Sequence, residues 1–240
     1  MSLLVCTPVY GQPFMPYVES MMSLQEAFLT SGLKHEFLFI KGESLVQRAR
    51  NNSITSYLET DFERFLFIDA DIEFSPKDVA KLWNLDADVA VGCYPMKRLE
   101  KLENHPLFDA VCAVVGKEFA QKLVYQSVTT AWKDGELLDL DEFDGPVEID
   151  YAGTGFMMIK REVFHKFQQE FEDRFHYEGK PGDNVHDNRV SFNYFDTRVD
   201  DEVFLSEDYA FCKDWRGMGG KIILEPSIRL KHYGTYGFGE

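Results

Sequence analysis

Two aspartates, Asp69 and Asp71, stand one residue apart at the end of the apolar run Phe65–Ile68. The run has the composition of a buried strand, so the sequence predicts a strand that delivers both carboxylates to its carboxyl end. In an open α/β sheet, that edge is where ligands bind. Carboxylates this close repel each other unless a cation lies beside them, and a hard divalent ion prefers oxygen ligands. The pattern therefore indicates a metal site that could hold a diphosphate.

Similar spacings elsewhere in the chain show that this pattern is not specific by itself. Asp86 and Asp88 precede a predicted strand, which places them at the opposite edge of a parallel sheet. An EF-hand loop beginning at Asp69 is excluded, because phenylalanine stands at the sixth position, where such a loop requires glycine. Ser75 and Pro76 fit the N-cap and first turn of a helix, an interpretation that leaves the two aspartates without a role.

The composition favours one domain and argues against nucleic acid as a partner. A chain of 240 residues with 45% hydrophobic content can bury one full α/β core. The 41 acidic and 25 basic residues give a formal charge of −16, which repels a phosphate backbone. An anionic nucleotide would need a local device, such as a metal ion, an arginine or a helix N-terminus.

The cysteines and the longest apolar run predict where the protein resides. Cys6, Cys93, Cys112 and Cys212 are scattered without CxxC or zinc-type spacing, as is typical of reduced thiols in the cytoplasm. The chain enters a predicted strand at once, without a signal peptide, and no apolar run is long enough for a transmembrane segment. We expect a soluble or peripheral cytoplasmic protein, although 1–240 could belong to a longer chain.

The order of predicted elements indicates the fold class. Strands and helices alternate over the first hundred residues, which favours a mostly parallel central sheet with helices on both faces. The predicted strands are 3–6, 36–40, 65–68, 88–93 and 221–225, with a further strand that follows Gly153 and Gly155 and ends at Ile159. The predicted helices are 16–33, 44–59, 76–85 and 161–171. The first helix is expected to turn Val18, Met21, Met22, Gln25, Phe28 and Leu29 inward. Ser44 and Gln47 predict a capping box for the second helix.

The later chain is less regular. Residues 132–135 predict a hairpin turn, and 173–203 read as either a functional lid or a disordered segment. The Gly/Tyr-rich tail after 233 is expected to be mobile.

Further candidates for a site follow the predicted strands and begin two helices. Thr7, Pro8 and Tyr10 form a loop that could hold a flat base or be an ordinary turn. The second helix carries two arginines. Arg48 is predicted to contact a phosphate or sugar, and Arg50 is expected to be exposed to solvent.

Two more segments could belong to the same site. Gly153 and Gly155 allow close approach to the backbone, but the third glycine of a dinucleotide fingerprint is missing. Glu207 and Asp208 open a helix with Ser206 as its predicted N-cap, and plain capping chemistry also explains the two acids.

Five motifs in order resemble the nucleotide-sugar-dependent glycosyltransferases of the GT-A fold. The motifs are Thr7–Tyr10, Phe67–Asp71, Gly153–Met157, Ser206–Cys212 and Lys231–Gly234. The likeness is to family-2 enzymes of bacteria, phages and large DNA viruses, including those that glycosylate chlorella-virus capsid protein, and more distantly to fungal mannosyltransferases. It covers nearly the whole chain, as a single GT-A domain over 1–240.

The resemblance implies a role for each matching residue. Asp69, Ala70 and Asp71 would form the family's Asp-x-Asp element, with Mn²⁺ or Mg²⁺ bound by Asp69, Asp71 and His232. Thr7, Pro8 and Tyr10 would hold the nucleoside, with Arg48 as a further donor contact. Gly153 and Gly155 would line the sugar or acceptor side, and Asp208, beside Glu207, would be the general base of an inverting enzyme.

The implied reaction moves a hexose or deoxyhexose from a UDP- or GDP-sugar to a hydroxyl of a glycan or glycoprotein. Two departures bear on it. Lys41–Ser44 replaces the family's Asp-Asp-Gly-Ser element, and relatives with the late histidine include retaining enzymes. A nucleotidyltransferase on a related sheet would need basic residues in a glycine-rich loop after the first strand, and 7–12 contains none. A catalytically silent nucleotide-sugar-binding module is the remaining alternative.

Overall fold

The computed structural model describes residues 1–95, 97, 108–116, 132–138, 143–177, 190–234 and 237–238. Within that part the helices are α1 (Met15–Ser31), α2 (Val46–Leu58), α3 (Pro76–Asn84), α4 (Phe108–Val115), α5 (Arg161–Glu170) and α6 (Glu207–Gly217). The longer strands are β1 (Ser2–Val9), β2 (Lys34–Lys41), β3 (Arg64–Ile68), β5 (Val89–Cys93), β9 (Phe156–Lys160) and β14 (Ile222–Arg229).

The remaining strands are two or three residues long. They are β4 (Ile72–Glu73), β6 (Trp132–Lys133), β7 (Glu136–Leu137), β8 (Val147–Ile149), β10 (Phe175–Tyr177), β11 (Val190–Phe192), β12 (Arg198–Asp200), β13 (Val203–Leu205), β15 (Lys231–Tyr233) and β16 (Gly237–Phe238). A 3₁₀ turn, Glu172–Arg174, follows α5. No helix within the described ranges is long and apolar enough to cross a membrane.

A seven-stranded sheet forms the centre of the protein, in the order β2-β1-β3-β9-β5-β14-β8. β1 pairs in parallel with β2 and β3, and β5 pairs in parallel with β14. β9 lies antiparallel between β3 and β5, and β8 is antiparallel at one edge. Five strands therefore run in one direction, which confirms the predicted mostly parallel sheet.

Helices cover both faces of this sheet, as predicted. One core packs α2, α5 and α6 against one face, with Ile54, Phe164 and Phe211 among its buried side chains. The second core packs α1 and α3 against the other face, through residues such as Leu24 and Leu82. Burial of apolar side chains on both faces requires apolar strands, and Phe65–Ile68 of β3 are apolar and fully buried.

Local signals account for several element boundaries. Pro16 lies in the first turn of α1, and Gly32 ends the helix with a left-handed φ of 69°. In α3, the Ser75 backbone N–H donates to the Asp78 carboxylate at 2.8 Å, so the predicted start of this helix is confirmed. The predicted hairpin turn is also confirmed, because Asp134 and Gly135 join β6 to β7 with φ angles of 53° and 80°.

Two predictions about the first helices are wrong. Met22 and Leu29 are 69% and 67% exposed, because the buried face of α1 follows Tyr17, Met21, Leu24 and Phe28 instead. α2 begins at Val46, and the predicted capping box of Ser44 and Gln47 does not form. Leu45 is the N-cap residue instead, and its own N–H donates to the Glu43 carboxylate at 3.0 Å.

The later chain is more ordered than the sequence suggested. The described parts of 173–203 form two antiparallel hairpins, β10–β11 and β12–β13, and 178–189 lie outside the described residues. The last long strand extends to Arg229 through a bulge instead of ending at Glu225. Beyond it, β15 pairs with both β4 and β16, so residues 237–238 form a short strand within the tail.

Candidate active site

A cleft of about 330 Å³ opens at the carboxyl edge of β1, β2 and β3. Its walls come from the loops that follow these strands and from the start of α2. The lining residues are Pro8, Val9, Tyr10, Gly11, Gln12, Phe14, Glu43, Ser44, Val46, Ala49, Asp69, Ala70 and Asp71. A groove of similar size between α1 and α3 is mostly apolar and lies away from the aspartates. The predicted ligand edge of the sheet thus carries a cleft with both aspartates in its wall.

Asp71 is paired with His232, which β15 brings alongside β4. His232 Nε2 lies 3.4 Å from Asp71 Oδ1, and the Tyr233 N–H donates to the Asp71 carbonyl at 2.8 Å. The Lys97 ammonium donates to the other carboxylate oxygen. Burial raises the pKa of Asp71, but the neighbouring His232 and Lys97 outweigh burial and hold that pKa below its usual value.

These residues fit a divalent cation. His232 Nδ1 lies 2.8 Å from the carbonyl oxygen of Pro95, which only accepts, so Nδ1 carries the hydrogen. In the neutral ring, Nε2 then presents a lone pair toward Asp71 Oδ1, a buried oxygen without a hydrogen-bond partner in the described part of the chain. Two lone pairs this close, on Nε2 and on Oδ1, repel each other unless a proton or a metal ion is shared between them.

The structure brings together two of the three predicted metal ligands. Asp69 is not directed at His232, and the described residues contain no group of three His, Cys, Asp or Glu side chains able to hold a metal. A pair of one carboxylate and one imidazole is incomplete as a cation site, and a substrate phosphate and water would have to supply the remaining ligands.

Asp69 is instead paired with a buried arginine, Arg50. The Arg50 Nη2 group donates to the two carboxylate oxygens at 3.2 and 3.3 Å, and Nε lies 3.5 Å from Glu207 Oε1. Arg50 is 3% exposed, and its guanidinium lies 5.0 Å from the centroid of the Phe67 ring. Burial lowers the pKa of Arg50, but Asp69, Glu207 and other neighbouring groups outweigh burial, so the guanidinium stays charged.

Glu207 and Asp208 lie at the start of α6, and Glu207 faces Arg50 Nε at 3.5 Å. Burial raises the pKa of both carboxyl groups, and for Glu207 the neighbouring Asp208 adds to the effect. The Ser206 hydroxyl and the Tyr209 N–H, the latter at 2.9 Å, both donate to Asp208 Oδ1. Ser206 occupies the N-cap position as predicted, but its hydroxyl orients Asp208 instead of capping the helix. Asp208 thus satisfies one N–H of the first helical turn, so chemistry at the helix start explains part of its position and leaves Glu207, which faces Arg50, without that explanation.

Gly153 and Gly155 make room for Tyr94, a side chain that follows β5. The Gly155 N–H donates to the Tyr94 hydroxyl at 2.9 Å. A Cβ at Gly153 would lie 2.3 Å from that hydroxyl oxygen, and a Cβ at Gly155 would lie 2.7 Å from it and 2.9 Å from Asp69 Oδ2. The predicted close approach to this backbone is therefore made by Tyr94. The two glycines set the position of Tyr94 and leave Asp69 its space.

Alanine at position 155 is expected to destabilise the protein by about 1–3 kcal/mol, because the buried Tyr94 ring must move. Denaturant unfolding of Gly155→Ala measures this change. Gly145→Ala is the matched control, since a Cβ there meets nothing within 4 Å. Equal free energies of unfolding for the two variants would contradict the tight packing around Tyr94.

Only some of the other predicted site residues line the cleft. Pro8 and Tyr10 line the cleft, and Tyr10 is 75% exposed at its rim. The Thr7 side chain is buried, and its hydroxyl lies 2.7 Å from the Tyr17 hydroxyl, beneath the cleft. Arg48 is exposed and forms two hydrogen bonds with Glu43, at 2.5 and 2.7 Å. Of the two arginines on α2, it is Arg50 that contacts Asp69 and Glu207, so leaving Arg50 to solvent was wrong.

Sequence reasoning missed Arg50 and Tyr94. A signal for Arg50 was present, because it shares the helical spacing of Ile54 and Tyr57, both fully buried on α2. Tyr94 directly follows a buried strand at the same sheet edge as Asp69. Its partner Gly155 lies 61 residues later, so its role depends on a long-range contact.

The fold and the cleft define an α/β protein with an acidic site at the carboxyl edge of a mostly parallel sheet. No protein-family model and no curated protein matches the sequence. Among solved structures, the chain is similar to a glycosyltransferase involved in glycosylation of the major capsid of PBCV-1. The identity is 11%, the TM-score is 0.35, and the match covers 72% of this chain and 66% of that one.

Two further solved structures are similar over most of this chain. GalNAc-T7, solved with UDP, GalNAc and Mn²⁺, has 13% identity and a TM-score of 0.48, over 97% of this chain and 44% of that one. The inositol-1-phosphate CTP transferase of T. maritima has 8% identity and a TM-score of 0.40, over 92% and 84% of the two chains. This chain thus spans less than two thirds of the two glycosyltransferases, and at such identities the likeness concerns the fold and not residue roles.

Proposed function

We propose that this chain is a glycosyltransferase that moves a hexose or deoxyhexose from a UDP- or GDP-sugar to a hydroxyl of a glycan or glycoprotein. One observation carries the proposal. The Asp71–His232 pair and the acidic pair Glu207–Asp208 lie near the same Asp69–Arg50 ion pair, since Asp71 is two residues from Asp69 and Glu207 faces Arg50 at 3.5 Å. Metal-dependent sugar transfer with inversion uses these two functions, a cation for the leaving diphosphate and a base for the acceptor.

The donor side consists of the cleft. The Tyr10 ring and Pro8 at its rim offer a surface for the nucleoside, and Asp71 with His232 would hold Mn²⁺ or Mg²⁺ at its floor. When bound, such an ion stabilises the negative charge that develops on the departing diphosphate. The Lys97 ammonium lies beside Asp71 and adds positive charge at the same place.

The acceptor side consists of Asp208 and the residues that orient it. As the acceptor oxygen bonds to the anomeric carbon, the bond from that carbon to the diphosphate oxygen breaks, and Asp208 takes the hydroxyl proton. Hydrogen bonds from Ser206 and Tyr209 hold the carboxylate in one orientation. Burial raises the pKa of Asp208, which makes it a stronger base than a free aspartate.

The pH dependence of transfer should report this base. Asp208 must be ionised to accept a proton, so the rate is expected to fall as the pH drops through its raised pKa. We expect the acid limb of kcat/KM to have a midpoint above 3.8, the ordinary value for aspartate. Initial rates between about pH 4 and pH 8 at saturating Mn²⁺ measure it. A midpoint at or below 3.8 would argue against Asp208 as the base.

Thermal unfolding with nucleotide sugars tests the proposed function directly. A ligand at about 100 times its Kd adds ~2.7 kcal/mol to the free energy of unfolding. We expect UDP- or GDP-sugars to raise Tm only when Mn²⁺ or Mg²⁺ is present, and turnover to follow. Stabilisation without turnover of any donor and acceptor would favour a silent binding module. Stabilisation by nucleoside triphosphates with a sugar phosphate, and not by nucleotide sugars, would favour a nucleotidyltransferase.

A further inference from the structure

We propose that Arg50 is a positioning residue that joins the donor side of the site to the acceptor side. It does so by holding Asp69 and Glu207 in one fixed arrangement. The effect on catalysis rests on the proposed function above, whereas the geometry of the pairing does not.

Three separate elements meet at Arg50. The arginine lies in α2, Asp69 follows β3, and Glu207 is the first residue of α6. Nη2 contacts both oxygens of Asp69 at 3.2 and 3.3 Å, while Nε faces Glu207 at 3.5 Å. A guanidinium is planar and rigid, so the hydrogen bonds from Nη2 to Asp69 and the ion pair from Nε to Glu207 hold the two carboxylates in one relation to each other. In the described part of the chain, Nε and Nη1 are buried and form no hydrogen bond, so the Glu207 contact is purely ionic.

The burial of Arg50 limits how far its side chain can move. Arg50 is 3% exposed and lies over the Phe67 ring, which fixes the plane of the guanidinium from below. Replacing Arg50 with an uncharged residue would leave the partly buried carboxylates of Asp69 and Glu207 without their shared positive charge. One or both carboxylates would then turn away or take up a proton. A lysine keeps the charge but not the fork, so it cannot hold both partners in the same way.

The position of Arg50 separates its role from substrate binding. Its buried side chain does not line the cleft, whereas Asp69 does. Misplacement of reacting groups by about 1 Å lowers rates by roughly 10²-fold. Loss of Arg50 should therefore lower kcat much more than it raises the KM for the donor.

The test compares Arg50→Met and Arg50→Lys with Arg161→Met. Arg161 is a suitable control because its guanidinium also packs on a ring, 4.4 Å from the centroid of Tyr57, and donates to backbone carbonyls away from the site. Three quantities are measured for each protein: Tm, binding of UDP or GDP with Mn²⁺ by calorimetry, and kcat and KM for transfer. We expect Arg50→Met to lose about 10²-fold in kcat with KM within about threefold, and Arg50→Lys to recover part of that loss. Arg161→Met should lower Tm without changing kcat.

If Arg50→Met does not fold, Arg50→Lys and Glu207→Gln decide the matter. Both should lower kcat, and the double variant should be no worse than the poorer single one, because both changes break the same contact. Additive losses, or a folded Arg50→Met with the parental kcat, would overturn the positioning role. A wild-type protein that neither binds nor turns over nucleotide sugars with Mn²⁺ would overturn the proposed function instead. Calorimetry on the wild type therefore separates the two failures.

Discussion

Replacing Asp71 with asparagine is expected to lower sugar transfer by about 10²–10³-fold while the protein stays folded. Asparagine has nearly the same shape, so the Tyr233 N–H still finds the backbone carbonyl of residue 71. What disappears is the negative charge that faces His232 across 3.4 Å and that would hold a divalent cation. Initial rates of donor hydrolysis and of transfer with Mn²⁺, across UDP- and GDP-sugars, measure the loss.

Asp88→Asn provides the matched control for that experiment. Asp88 belongs to the second Asp-Ala-Asp triplet and pairs with Lys160 at 3.3 Å, just before β5 and therefore at the opposite edge of the sheet. Its replacement should leave transfer unchanged. Mn²⁺ affinity, followed by electron paramagnetic resonance, should fall in Asp71→Asn and not in Asp88→Asn. An Asp71→Asn enzyme that worked at the parental rate would remove Asp71 from the mechanism.

Replacing Asp208 with asparagine is expected to lower transfer by about 10²–10⁴-fold, since the amide cannot accept the acceptor's proton. Donor binding should persist, because Asp208 lies outside the cleft lined by Asp69 and Asp71. The measurements are kcat for transfer and the Kd of UDP or GDP with Mn²⁺. A large loss of nucleotide affinity with little change in kcat would place Asp208 in donor binding and not in proton transfer.

Asp214→Asn is the control in the same helix. Asp214 binds Arg174 at 2.7 Å and Arg198 at 2.6 Å near the other end of α6, so its loss should lower Tm without removing a proton acceptor. Glu207→Gln separates the two acids at the start of the helix. If Arg50 holds Glu207 in place, that variant should disturb the geometry of the site and still leave Asp208 able to take a proton.

Much of the fold could be predicted because its signals are local. The apolar run of β3 and the cap of α3 lie within a few residues of the features they determine. The exposed side of α1 could not be predicted in the same way. α1 contains more apolar residues than one helical face can bury. Whether Met22 or Leu24 is buried depends on which side of the helix packs against the sheet.

The sequence also does not predict the direction of β9. A strand buried on both faces is apolar in either direction, so its composition does not tell a parallel from an antiparallel neighbour. In the structure β9 runs antiparallel to β3, with Phe156 paired to Ile68. That pairing places the amino end of β9 at the carboxyl edge of β3, and the Asp69 N–H consequently donates to the Gly155 carbonyl at 2.9 Å.

The sequence by itself determined which residues bring chemistry to this protein: carboxylates directly after a buried strand, two glycines before another, and an acidic pair opening a helix. The tertiary structure alone decided which of these charges meet. Asp71 faces His232 because β15 pairs with β4, and Asp69 faces Arg50 because α2 packs its arginine inward. Such pairings join residues far apart in the chain, and their energy depends on burial and distance, which no local pattern specifies.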